Sequence, residues 1–175
     1  LPNYDMSIHV LAEATAAEQR RVLDDLLTKG IAGVSVSVND PAYETEILNK
    51  VASQAVLFTT DSDAADSNRV LYIGTDNVAA GEECGKLIKK ALPDGGTIML
   101  FVGIPGAANA QERVKGIRSS LEGTKIQILD IRSDEVDFAK AKRNAEDTLT
   151  KYPDISALVG LWSYTTQQIV EAVKA

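Results

Sequence analysis

The chain has 175 residues, 45% of them hydrophobic, and a formal net charge of −7, enough apolar material for one packed domain or two small ones. An acidic balance with scattered Lys and Arg excludes a phosphate-backbone surface, so no nucleic-acid partner is expected. A lone Cys84 and a single His9 exclude an internal disulfide and a Cys/His zinc set, and no apolar run approaches the roughly 20 residues that span a membrane.

In chain order, strand and helix patterns alternate. Ser7 to Ala12 (SIHVLA) alternates like a strand, and Thr15 to Glu18 has capping-box spacing ahead of Val22, Leu23, Leu26 and Leu27, with Gly30 as the stop. Val34 to Val38 (VSVSV) has period two. Asn39, Asp40 and Pro41 then read as strand end, N-cap and first helical residue before Ile47, Leu48 and Val51. Ala55 to Thr60 (AVLFTT) and Val70 to Gly74 (VLYIG) are short strand patterns, followed by a helix near 78–91 and a Pro93-Asp94-Gly95-Gly96 turn.

Thr97 to Val102, Lys125 to Ile131 and Ile155 to Leu161 complete seven predicted strands, separated by helices near 108–121 and 138–151, with a last helix from about Thr165. This pattern predicts an α/β fold of mostly parallel sheet flanked by helices. Gly81 and Gly85, at i and i+4, are expected to permit close helix packing, and Cys84 to be a half-buried helix residue.

Ligands of such sheets bind beyond the carboxyl ends of the strands. The residues there are Ser37, Asn39 and Asp40; Asp61 to Asp63; Thr75 to Asn77; the loop GIPGAANAQER ending at Arg113; Ser133 to Phe138; and Trp162 to Tyr164. They supply carboxylates, amides, hydroxyls, one arginine and three aromatics, but no histidine, reactive cysteine or phosphate loop. The set suits binding rather than catalysis, and no cofactor is expected. A polyhydroxylated ligand fits: carboxylates accept from hydroxyls, Arg and Asn donate, and an aromatic ring covers the C–H face.

TTDSDAADSNR, YIGTDNVAAGEECG, GIPGAANAQERVKG, SDEVDFAKA and ALVGLWSY, in this order, resemble the sugar-binding proteins of bacterial ABC importers, of the ribose-binding-protein type. The resemblance implies two Rossmann-like lobes of the type I periplasmic-binding-protein fold, at residues 1–75 and 76–175, with a hinge crossover near 75–77. It also implies sugar held in the interlobe cleft, closure by hinge motion, a periplasmic location and delivery to ABC permease membrane subunits.

By position in those motifs, Asp61 resembles the aspartate that accepts from sugar hydroxyls and Arg113 the arginine that donates to them. Phe138 falls where a stacking aromatic often stands, and Trp162 where asparagine is commoner. Asn39 lies where the first lobe offers an amide. Thr75 and Asp76 lie at the crossover, Asp76 serving as ligand contact, helix N-cap or both, and Tyr164 either lines the cleft or starts the next helix. Asp63 reads as a solvated loop carboxylate or turn former.

Three other classes were weighed on the residues. Asp61-Ser62-Asp63 resembles the DxD of Mg²⁺-dependent phosphatases and transferases, but Ala64 and Ala65 stand where hydroxyl and lysine partners are expected. A LacI-type sugar-sensing regulator domain and a receptor input domain share the fold. In the resembled family a first strand and helix precede the LPNYD segment, and more units follow EAVKA. The expectation is therefore a piece of a longer chain, or an engineered half, incomplete at both ends and completed by its missing remainder.

Overall fold

The computed structural model describes residues 5–174. Its order is α1 (Ala16–Thr28), β1 (Gly33–Val36), α2 (Pro41–Ala52), β2 (Val56–Thr60), β3 (Leu71–Ile73), α3 (Asn77–Ala91), β4 (Gly96–Val102), α4 (Ala108–Leu121), β5 (Ile126–Ser133), α5 (Phe138–Lys151), β6 (Ala157–Gly160) and α6 (Ser163–Lys174). All pairings are parallel and fall into two three-stranded sheets, ordered β1-β2-β3 and β5-β4-β6. The expected α/β class is what the backbone forms.

Local chemistry starts the helices where the sequence places them. The Thr15 hydroxyl accepts the Glu18 amide, Asp40 caps α2 through the Tyr43 amide ahead of Pro41, and Asp76 and Asp137 cap α3 and α5. Only half of the Thr15 capping box forms, because the Glu18 carboxylate turns to Arg21 instead.

One predicted strand is absent. Residues 7–12 form no strand, and Met6, Ile8 and Val10 are 94%, 92% and 89% exposed. Alternation alone cannot hold a strand: its amides need a ladder partner and its apolar face a surface to cover, and no described strand pairs with this segment. Six strands form among the described residues where seven were expected.

The two sheets are covered differently. In the second sheet, Ile98, Leu100 and Val102 of β4 pack on Ile88, Ala110, Ile117 and Leu121 from α3 and α4. Met99 and Phe101, alternating to the other face, pack on Ala145, Ile169 and Ala172 from α5 and α6. Central strand β4 is therefore buried on both sides, as a parallel strand normally is. In the first sheet, Val36 and Leu57 pack on Leu23, Ile47, Leu48 and Val51 from α1 and α2. Its opposite face carries Phe58 and Leu71 side by side in register, and Val56, Leu71 and Ile73 remain exposed.

Helices α3 and α4 approach backbone to backbone. A Cβ on Gly81 would lie 2.2 Å from the Arg113 carbonyl oxygen, and one on Gly116 would lie 2.1 Å from that of Val78. Gly85 is similarly crowded by Ser120. The glycine spacing thus serves packing, as expected, and Cys84 is half-buried beside it with its thiol pKa raised by burial.

Glu44 is a buried carboxyl among the first sheet's helices. Its carboxyl is fully buried in the first turn of α2, with Oε2 accepting the Asp40 amide at 2.9 Å. Burial pushes its pKa up to about 7 despite backbone hydrogen bonds from Asp40 and Asn39 that favour the anion.

Two outcomes follow from this packing. Gly116→Ala should destabilise the protein by about 3 kcal/mol in urea unfolding, because backbone rather than a movable side chain meets the new methyl group, while exposed Lys115→Ala should change stability by less than about 0.5 kcal/mol. Equal midpoints for both variants would contradict the close contact. Glu44 holds its proton more tightly folded than unfolded, so its contribution is greatest below pH ~4.5 and is lost as pH rises through about 7. Relative to Glu44→Gln, the wild type should lose on the order of 3 kcal/mol across that window and then level off; parallel pH profiles would refute the buried carboxyl.

Candidate functional site

The carboxyl ends of both sheets face one another. A Cβ built on Gly106, in the loop after β4, would lie 3.6 Å from the Asp40 carboxylate after β1. A depression of about 320 Å³ opens there, rimmed by Asp40, Asp63, Asp66, Gly106 and Glu112. A second, of about 410 Å³, lies at Leu92–Gly95 and Gly123–Ile126, where β4 and β5 begin. It is at the wrong end of the strands for the crevice such sheets form.

Asp61 follows β2 with φ of 60°, a left-handed conformation that Asp tolerates better than most side chains. Its Oδ2 accepts from the Ser37 hydroxyl at 3.1 Å and from Asn109 Nδ2 at 3.2 Å. Asn109 belongs to α4, on the other sheet, so this carboxylate is held from both sides of the crevice. Gln19 of α1 fixes the loop beside it, donating to the Ser37 carbonyl and accepting the Asn39 amide, each at 3.0 Å. The Asn39 side-chain Nδ2 is buried without a protein partner.

Arg113 does not touch Asp61. Its Nε donates to Asn77 Oδ1 at 2.9 Å and its Nη1 to the Leu161 carbonyl at 2.6 Å, joining α4, α3 and the end of β6. Asn77 Nδ2 in turn reaches the Tyr72 hydroxyl at 3.4 Å, and that hydroxyl donates to the Asp61 and Thr75 carbonyls at 2.9 and 3.1 Å. The two strongest expectations, Asp61 and Arg113, are therefore linked through Tyr72 and Asn77. Thr75 is exposed, and its carbonyl anchors this chain of bonds. Asp76 Oδ1 accepts the Ala79 amide at 3.0 Å, so its capping role is realised.

The aromatics form one cluster after β5 and β6. Phe138 stacks on Tyr164 with ring centroids 4.7 Å apart, and Trp162 meets Tyr164 edge-on at 6.1 Å. Phe138 remains 55% exposed. Trp162 and the Tyr164 hydroxyl press on Gly103, where a Cβ would meet the indole at 2.1 Å. The Tyr164 hydroxyl donates to Asp134 Oδ1, and burial, then the nearby carboxylate, holds its proton firmly. Asp134 also accepts the Val136 amide, yet burial outweighs both bonds and raises its pKa.

Asp63 corrects its reading as a solvated carboxylate. It takes a bidentate pair from Arg69 at 2.5 and 2.6 Å, the Thr59 hydroxyl at 2.5 Å and the Ala64 amide at 2.8 Å. Burial works against the anion, but these bonds outweigh it and keep the carboxyl below its usual range. With Asp63 committed to Arg69, the DxD pattern does not present two free carboxylates.

Gln19 and Tyr72 lie outside the segments that the sequence marks beyond the strands, and Asn77, Asn109 and Asp134 lie within them but were given no role. One signal existed for Asn109: it lies four residues before Arg113 and shares its helix face. Among the described residues, seven buried side-chain polar atoms have no partner, and four lie in this constellation: Asn39 Nδ2, Asn109 Oδ1, Asp134 Oδ2 and Trp162 Nε1. Two are donors and two acceptors, a mixture that hydroxyl groups satisfy because each can donate and accept.

The structure of an ABC transporter solute binding protein from Burkholderia graminis in complex with D-arabinose superposes with a TM-score of 0.89 at 25% identity, covering 95% of this chain and 58% of that one. The ribose import binding protein RbsB of Haemophilus influenzae is 27% identical over 165 residues, 79% of this chain and 56% of its own length. The Bacillus subtilis protein of that name is 26% identical over 152 residues, 86% of this chain and 50% of its own. The chain thus spans about half the length of the curated relatives it matches. A family model described as periplasmic binding protein domain matches residues 3–175, and the chain belongs to that family.

Proposed function

We propose that this protein reversibly binds a monosaccharide or similar polyol between two lobes, residues 1–75 and 76–175, as the substrate-binding component of an ABC sugar importer. The supporting observation is the set of buried, unpartnered donors and acceptors at Asn39, Asn109, Asp134 and Trp162, on segments that follow strands, with Asn109 bonded to the carboxylate of Asp61. Relatives named for ribose import, and a solute-binding protein holding D-arabinose, favour the same ligand class.

In this reading Asp61 accepts from sugar hydroxyls through its remaining oxygen, Arg113 donates to them, and Asn39 donates from the first lobe. Phe138, Trp162 and Tyr164 cover the apolar face of the ring. Rotation occurs at Thr75 and Asp76, where the chain passes from β3 to α3, and is hinge closure without a covalent step. The loaded protein acts outside the cytoplasm and hands its sugar to membrane permease subunits.

Calorimetric titration against pentoses, hexoses and polyols tests this reading. One sugar should bind, and Asp61→Ala should weaken it by about 30-fold or more. Binding of an amino acid or peptide with no heat from any sugar would contradict the ligand class, and unchanged affinity in Asp61→Ala would remove that residue from the site. Trp162 is the one tryptophan of the chain, so sugar should also change its fluorescence.

A further inference from the structure

Asn109 stands out among the buried polar groups near the crevice. It lies in the first turn of α4, is 4% exposed, and touches the other sheet through Nδ2–H donating to Asp61 Oδ2. The orientation of its carboxamide is fixed by charge. Reversal would set its oxygen against a carboxylate oxygen, two acceptors with no proton between them. Asn109 Oδ1 is therefore the free end, buried and without a protein partner.

A buried carbonyl oxygen left unpaired costs about 1–3 kcal/mol, so the group is better explained by a donor that arrives with the ligand. Asp61 Oδ2 is already taken by Ser37 and Asn109. The acceptors left are Asp61 Oδ1 and, through the bond that joins the two side chains, Asn109 Oδ1. Two acceptors on directly bonded side chains match two neighbouring hydroxyls, one donating to each. A single hydroxyl, with one proton to donate, would leave one of them unpaired.

We propose that Asn109 is a specificity-determining residue of this site, accepting one hydroxyl of a vicinal diol while Asp61 accepts the other. The inference rests on the sugar-binding reading and adds to it the residue that selects the second hydroxyl. It also gives the Asn109 carboxamide two tasks: its amide end holds Asp61 in place, and its oxygen reads the ligand.

The test compares the best-binding sugar from the calorimetric panel with its monodeoxy derivatives, in the wild type and in Asn109→Leu, with Asn109→Ser as a second variant of smaller volume. In the wild type, removing either of two adjacent hydroxyls should weaken binding about tenfold or more, because a site built to pair a hydroxyl rejects the analogue lacking it. In both variants the penalty at one of those positions should fall to less than about threefold, with the penalties elsewhere unchanged. The same pattern of penalties in variants and wild type, whatever the overall loss of affinity, would assign Asn109 a packing role and overturn the proposal while leaving sugar binding intact. Absence of sugar binding in the wild type would instead overturn the reading beneath it.

Discussion

The position of Arg113 depends on a contact that admits no side chain. Its carbonyl oxygen rests where a Cβ of Gly81 would be, and Gly116, three residues further along α4, meets the backbone of α3 in the same way. Two helices at that separation behave as a rigid pair against the β4 face. From this base the guanidinium reaches two fixed acceptors, the Leu161 carbonyl and Asn77 Oδ1. Interhelix spacing and polar geometry are thus one problem: a wider helix pair would carry Arg113 away from the end of β6 and Asn109 away from Asp61.

Polar satisfaction is uneven among the groups that follow the strands. Asp63 is saturated by Arg69, Thr59 and Ala64, and Asp76 and Asp137 are used as caps. The Tyr72 hydroxyl bridges the Asp61 and Thr75 carbonyls, so the chain path between the two sheets is bonded to the end of β2. Asn39, Asn109, Asp134 and Trp162 each keep a buried polar atom with nothing to pair. Burial makes such atoms costly, which is the physical reason to read them as functional.

Much of the fold was legible in the sequence because its signals are local. Capping side chains at Thr15, Asp40, Asp76 and Asp137, the period-two run of β1 and the short apolar runs of β2 and β4 act within a few residues. SIHVLA failed because a strand is a property of two segments, and its own alternation says nothing of a partner. Asp61, Arg113 and the aromatics were legible as candidates from their place after strands and from family motif. Their partners were not, because Asn109–Asp61 spans 48 positions and Arg113–Asn77 spans 36. Asp63 was misread for the same reason in miniature: nothing in DSDAADSNR tells that the chain curls to bring Arg69 onto it.

In the proposed function a sugar enters between the carboxyl ends of the two sheets and pairs with the buried polar atoms there. Nitrogen-edited NMR reads it directly, since the lone tryptophan gives one indole N–H signal and the side-chain amides of Asn39 and Asn109 can be assigned beside it. On adding the bound sugar, the Trp162 indole and both amides should shift together, in a saturable manner with one dissociation constant. Shifts confined to the depression at Leu92–Gly95 and Gly123–Ile126, with those three signals unmoved, would contradict the account.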